Sequence, residues 1–185
     1  MQWYELGPFT VFDVETTGLS ATRDRIVELA ACRIDRDGST RCFHSLVNPG
    51  RRIPPEVIKI HHITDEMVSG APYFGDVGCR FLDFAAGSTL AAHNARFDLS
   101  FLQEELNRCG QALWQGRTID TLRLLRTAFP GLSSYRLQNL RRCFNLKDRP
   151  DSAAHRAGSD VDWTVQLLEL ALERTLENQR CVCSE

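Results

Sequence analysis

Two carboxylates separated by a single residue, Asp13 and Glu15, stand at the end of an apolar run that begins at Phe9. In a strand, residues i and i+2 point to the same face, so both acids project together. Like charges held close repel, and burial sharpens the repulsion. A bound divalent cation relieves it, and oxygen ligands suit Mg²⁺ or Mn²⁺. The plainer alternative is an exposed acidic pair at a strand end. Acids fit poorly at a buried strand end without a partner, which favours the metal. Thr16-Thr17-Gly18-Leu19 follow at once. Gly18 lets the backbone turn tightly and approach a ligand, although a simple turn uses the same residue.

Two further segments carry chemistry. Asp98 closes the stretch His93-Asn94-Ala95-Arg96-Phe97-Asp98. It falls at the start of a helix, where a carboxylate is favoured by the helix dipole, so capping alone accounts for it. Its place matters because ligands in open sheets gather beyond the carboxyl ends of strands. His155 precedes Asp160 by five residues. A loop histidine titrating near neutral pH can take a proton from water. Taken singly, this spacing equally fits a solvated histidine.

The elements that must position these groups follow from periodicity. Phe9 to Val14 is a buried strand, Ile26 to Ile34 a second and Arg41 to Val47 a third, joined by turn chemistry at Arg36-Asp37-Gly38-Ser39. Pro49 to Pro55 reads as a loop, since Pro54-Pro55 cannot sit inside a regular element. Phe74, Val77, Phe81 and Phe84 predict a helix. Thr89 to Ala92 is a short strand, and Phe97 to about Arg108 a helix. Thr118 to Asp120 is a fifth strand, followed by a helix from Leu122 to Phe129. Ser133 or Ser134 caps a helix running to about Phe144. Val161, Val165, Leu168 and Leu172 mark a long final helix. A meander followed by alternating helices and strands implies an α/β fold, a mixed sheet covered on both faces.

Length and composition frame this. The 185 residues suit a single domain, with a core at about 8–178 and a short C-terminal tail. No apolar stretch reaches membrane-helix length and no leader is evident, so the expectation is a cytoplasmic protein with no membrane association. The seven cysteines sit mostly singly in apolar stretches, which predicts reduced, buried thiols. Cys181 and Cys183 form the one close pair, too few ligands for zinc, and read as part of a frayed tail. The net charge of −2 announces no polyanionic partner. Its distribution is uneven: Arg117 to Arg156 holds eight Arg and one Lys against three Asp, and Ala157 to Glu185 holds six acids against two Arg. Arginine forks match phosphate oxygens, although an Arg-rich solvated surface has the same composition.

Together the three segments resemble a family. Asp13-x-Glu15-Thr-Thr-Gly, His93-Asn94-Ala95-x-Phe97-Asp98 and His155-x-Ala157-x-x-Asp160 are similar to the three motifs of the DEDD exonuclease superfamily, and His155 to its DEDDh, DnaQ-like branch. That branch includes the proofreading subunit of bacterial DNA polymerase III. The likeness spans Val11 to about Leu172, with support from Arg25-Ile26-Val27-Glu28-Leu29, His61-His62-Ile63-Thr64 and Ile119-Asp120-Thr121-Leu122. It implies a ribonuclease H-like, five-stranded mixed sheet with helices on both faces. It implies that Asp13, Glu15, Asp98 and Asp160 hold two divalent ions, Mg²⁺ or Mn²⁺, with His155 as general base. It implies that Thr16, Thr17, Gly18 and Leu19 hold the terminal nucleotide, Leu19 against a base, with Asn94 and Phe97 in support. The implied substrate is the 3′ end of single-stranded DNA, and the product a nucleoside 5′-monophosphate. The implied setting is DNA replication or repair, where a DNA polymerase is a natural partner. An RNA-trimming exoribonuclease shares the motifs, and an inactive nucleic-acid-binding module shares the fold. There are departures: His62 stands where glycine is usual and reads as a surface residue. Gly158-Ser159 replace a bulkier apolar residue, and Asp162 stands where a small residue is usual and could compete with Asp160. Asp120 reads either as an acid supporting the metal ligands or as a helix cap, with the structural role favoured.

Overall fold

The structure is a computed structural model that describes residues 2–147 and 156–182, with backbone alone at Arg156, Cys181 and Val182. Strands β1 (Phe9–Thr16), β2 (Ile26–Ile34) and β3 (Thr40–Leu46) form an antiparallel meander. β4 (Thr89–Ala92) and β5 (Thr118–Asp120) then add in parallel on the other side of β1. The sheet order is β3-β2-β1-β4-β5, a mixed sheet with β1 at its centre. A 3-10 turn, Trp3–Leu6, precedes it.

The period-2 geometry of β1 sorts its side chains onto two faces. Phe12 and Val14 pack with Phe74, Val77, Phe81, Phe101 and Leu102 of helices α3 (Phe74–Ala85) and α4 (Arg96–Arg108). Phe9 and Val11 pack with Val161, Val165, Leu168 and Leu172 of α7 (Arg156–Val182) on the opposite face. Each such Val or Leu contributes about 1.5–3 kcal/mol by leaving water. Asp13 and Glu15 occupy the next two α7-face positions, and they alone in β1 are incompletely buried. Helices α5 (Thr121–Ala128) and α6 (Leu137–Cys143) share a further cluster with α7 through Leu125, Leu140, Trp163 and Leu167.

Four expectations change. The stretch around Pro54-Pro55 is not all loop: α1 runs Pro55–His61 with Pro55 in its first turn, where a missing N–H costs nothing. After His62, exposed at the helix end with φ 58°, Thr64 caps a second short helix, α2 (Asp65–Ser69). Serine does not cap α6: Arg136 holds that position, and Ser134, two residues earlier, accepts from the Arg136 N–H through Oγ at 3.3 Å. Among the five cysteines with described side chains, Cys32 alone is buried, and Cys42, Cys79, Cys109 and Cys143 are exposed. Apolar neighbours in sequence do not place a residue on the buried face. The chain after Leu176 continues as helix through Val182 rather than fraying, and Cys183 lies outside the described residues. Trp3 is buried with that helix, its Nε1 donating to Glu169 Oε1 at 2.9 Å. Among the described residues no helix is long and apolar enough to cross a membrane.

Candidate active site

The parallel pairing of β1 with β4 ends at Val11 and Ala91. Beyond it the two strands separate, and α4 starts in the gap. Asp98, in the first turn of α4, reaches across and accepts a hydrogen bond from the Val14 N–H at 3.2 Å. This is more than capping: the acid replaces the missing strand partner and lies 3% exposed. Burial pushes its pKa up to about 8, further raised by Glu15 and Asp120 and opposed by the Val14 and Asp98 N–H groups. Asp13 is likewise held well above the usual carboxylate range, first by burial, then by the charges of Asp98, Asp160, Glu15 and Glu28. The structure therefore brings Asp13, Glu15, Asp98 and Asp160 to one place from three elements. Asp162 follows Asp160 by two helix positions, roughly 200° around the axis, and so points elsewhere.

Among the described residues, no three His, Cys, Asp or Glu side chains already surround a common point for an ion. The donor set nevertheless fits hard divalent cations. It consists of carboxylate oxygens, it is partly buried, and its members disfavour each other's ionisation. Such a group is electrostatically open until positive charge closes it.

A fifth acid lies outside the three motifs, in the supporting segment 25–29, where the resemblance assigns it no role of its own. Glu28 of β2 lies directly opposite Glu15 in the antiparallel register, hence on the same face. It is 2% exposed. Its Oε1 lies 2.7 Å from His44 Nε2, and its Oε2 accepts from the Ala157 N–H at 3.4 Å. Glu28 thus ties β2 and β3 to the start of α7, three residues before Asp160. The available signal was an acid inside the apolar run Ile26 to Cys32, where a charge needs a buried partner.

The segment after β1 is closed on itself. The β1–β2 register shifts between Glu15 and Thr16, leaving Val27 as the extra residue on β2. Thr16 Oγ1 donates to the Gly18 carbonyl at 2.6 Å, and Thr17 Oγ1 accepts from the Arg25 N–H at 3.0 Å. Both threonines are buried, so their hydroxyls shape the loop and leave contact with a ligand to its backbone. A Cβ on Gly18 would lie 2.5 Å from Asp24 Oδ2, which explains the glycine. Leu19 is 88% exposed.

The β4–α4 loop is pinned in the same way. Asn94 adopts φ 65°, a left-handed conformation that asparagine tolerates, and its N–H donates to Asp120 Oδ1 at 3.1 Å. Asp120 also caps α5 by accepting from the Leu122 N–H, the structural role expected of it. His93 bonds Thr121 Oγ1 through Nδ1 at 2.9 Å and the Tyr135 carbonyl through Nε2 at 2.8 Å. Burial lowers its pKa, so the ring stays neutral and serves as a strut. Phe97 packs against Phe101 with the rings tilted 49° and their centres 4.9 Å apart. His155 lies outside the described residues.

Comparison with known proteins adds a decisive observation: a family model described as Exonuclease matches residues 10–168. The chain belongs to the exonuclease family. The matched span includes the four carboxylates and His155. This exonuclease is 42% identical over 177 residues to the DNA polymerase III subunit epsilon of Treponema pallidum, covering 94% of this chain and 81% of that one. It is similar to a solved structure of exonuclease X in complex with 5′ overhanging duplex DNA. There the TM-score is 0.65 at 30% identity, over 92% of each chain. E. coli exonuclease I bound to a dT13 oligonucleotide shares the fold, with a TM-score of 0.79 at 20% identity over 93% of this chain and 42% of that one.

Proposed function

We propose that this exonuclease removes nucleotides one at a time from the 3′ end of single-stranded DNA, releasing nucleoside 5′-monophosphates. The observation that carries the reading is the meeting of four acids at the end of β1, with burial holding Asp98 at about 8. The DNA substrate is supported by likeness to a DNA polymerase subunit and to an exonuclease solved with duplex DNA.

Asp13, Glu15, Asp98 and Asp160 are the residues that would hold two divalent ions, Mg²⁺ or Mn²⁺. When bound, such ions activate water and stabilise charge on the attacking and leaving oxygens of a phosphodiester. The protein's own groups do the rest. Val14 fixes the Asp98 carboxylate against β1, so the acid's direction is set before substrate arrives. His155 is assigned as general base, taking the proton of the attacking water. The backbone of Thr16, Thr17 and Gly18 holds the terminal nucleotide, and Leu19 stands against its base. Asn94 and Phe97 border that pocket from the β4–α4 side. A DNA polymerase is the partner that the 42% identical relative suggests. The chain acts as one domain with its core at about 8–178.

End-labelled single-stranded DNA incubated with Mg²⁺ tests this. The expected products are nucleoside 5′-monophosphates and a ladder of strands shortened from the 3′ end, both absent in Asp13→Ala with the fold intact. Internal cuts alone, or no release at all, would refute it, and preference for a competing labelled RNA strand would reassign the substrate.

A further inference from the structure

Leu19 is a large apolar side chain standing in water at the tip of a nine-residue connection, Thr17–Arg25, between β1 and β2. Ordering such a loop costs about 1–2 kcal/mol of backbone entropy per residue, so something must hold it. Much of the hold comes from the far end of α4. Arg108, in the last turn, donates to the Ala21 carbonyl at 2.7 Å and to the Asp24 carbonyl at 3.1 Å. Its guanidinium is oriented by Glu104 at 3.4 Å and by the buried Glu105 at 3.3 Å. Glu105 also accepts from the Ile26 N–H at 3.3 Å, where β2 begins. Inside the loop, Asp24 accepts from the Ser20 N–H at 2.9 Å and backs onto Gly18. The opposite end of the same helix carries Asp98.

We propose that α4 is a ruler: Asp98 at its first turn fixes the cleavage site, and Arg108 with Asp24 holds the Thr17–Leu19 segment at a set distance from it. Ten residues of helix separate the two ends, roughly 15 Å of rigid rise. Arg108 and Asp24 are positioning residues, neither of which touches substrate. The idea rests on the reading that Thr16 to Leu19 grip the terminal nucleotide. Its consequence is that the grip on the 3′ end, and not the hydrolytic step, depends on a side chain ten residues along α4 from the acid.

The test compares wild type, Arg108→Gln, Arg108→Lys and Asp24→Asn on a single-stranded 3′-labelled oligonucleotide with Mg²⁺. KM and kcat are separated, and amide hydrogen exchange is followed in parallel. Losing hydrogen bonds from a charged donor is worth roughly tenfold or more in how firmly the loop is held, so roughly a tenfold rise in KM is expected for Arg108→Gln, with kcat changed less than about twofold. Arg108→Lys should recover part of the loss, and Asp24→Asn should follow Arg108→Gln. Exchange should quicken at 17–25 and not in α3 or α7. A wild-type KM in both Arg108→Gln and Asp24→Asn, even with lowered melting temperature, overturns the ruler and leaves the nuclease reading standing. Loss of kcat at unchanged KM also overturns it. If Arg108→Gln does not fold, Asp24→Asn decides by the same readings. An inert wild-type protein sinks both readings together.

Discussion

The Val14 N–H and Asp98 Oδ1 lie 3.2 Å apart, which joins the central strand to the first turn of α4 where β1 has lost β4 as a neighbour. One hydrogen bond therefore serves two ends. It satisfies a backbone donor the sheet leaves open, and it aims a buried acid at the acids of β1.

That double use predicts a separation of stability from activity. Asn at position 98 keeps an oxygen for Val14 and removes the charge that burial opposes. Asp98→Asn should melt in EDTA at or above the wild-type temperature at pH 8. Its turnover should fall on the order of 10²–10³-fold, the scale for losing a placed electrostatic group. Thermal melts and labelled-oligonucleotide kinetics check this. A variant that retains turnover would remove Asp98 from the site.

The pH dependence has a definite sign. Asp98 titrates at about 8 in the folded chain, above its ordinary value near 3.8. The folded state thus binds the proton more tightly than the unfolded state. The stability from this group is full below about pH 4 and is lost as pH rises through about 8. Asp13 shifts in the same direction. In EDTA the melting temperature should fall across that window, and Mn²⁺ should reverse the fall. Binding of Mn²⁺ at pH 7 should release protons, measured by calorimetry in buffers of different ionisation enthalpy. Binding with no proton release would contradict the raised values.

Glu28 should matter more than its absence from the motifs suggests. Glu28→Ala leaves the Ala157 N–H and His44 without this partner, at a cost of about 1–3 kcal/mol. Because α7 carries Asp160 three residues later, Mn²⁺ affinity should also fall by about 10–100-fold, as for supports of metal ligands. Glu28→Gln, which keeps an acceptor, should lose less of both. Urea unfolding and Mn²⁺ titration separate the two effects, and an unchanged Mn²⁺ affinity in Glu28→Ala would confine Glu28 to the fold.

Gly18 offers a test from inside the loop. A methyl there meets the Asp24 carboxylate at 2.5 Å, so Gly18→Ala displaces that carboxylate from the Ser20 N–H or shifts the loop around it. We expect a higher KM for single-stranded DNA with little change in melting temperature. The double variant Gly18→Ala/Asp24→Ala should be non-additive, as residues in contact are. Additive effects on KM would show that the two residues act separately.

Much of this is legible in the sequence. The five strands were visible because buried strands here are short apolar runs bounded by turn residues: Ile26 to Ile34, Thr89 to Ala92 and Thr118 to Asp120 begin and end where the sequence puts them. The i, i+2 spacing of Asp13 and Glu15 was enough to put them on one face. The short helices α1 and α2 were hidden. Pro54-Pro55 reads as a break, yet proline is at ease in a first turn, and tertiary packing of Val57, Ile58 and Val68 completes helices that periodicity is too brief to announce.

The exposed cysteines show the other limit. Cys79 lies in α3 beside buried Gly78 and two residues from buried Val77, and it still faces solvent. Local hydrophobicity gives the face of a helix only when several turns agree.

The sequence by itself determined the five strands, the longer helices and the shared face of Asp13 and Glu15, because periodicity and residue chemistry are local properties. Only the tertiary structure decided that Asp98 stands in for a strand, that Glu28 faces Glu15, and that Arg108 holds the loop of Leu19. Those relations join residues separated by 84, 13 and 89 positions (98 less 14, 28 less 15, 108 less 19), and no local pattern encodes them. They arise when β1 is buried between α4 and α7, where each charged or polar group taken from water must find a partner within the fold.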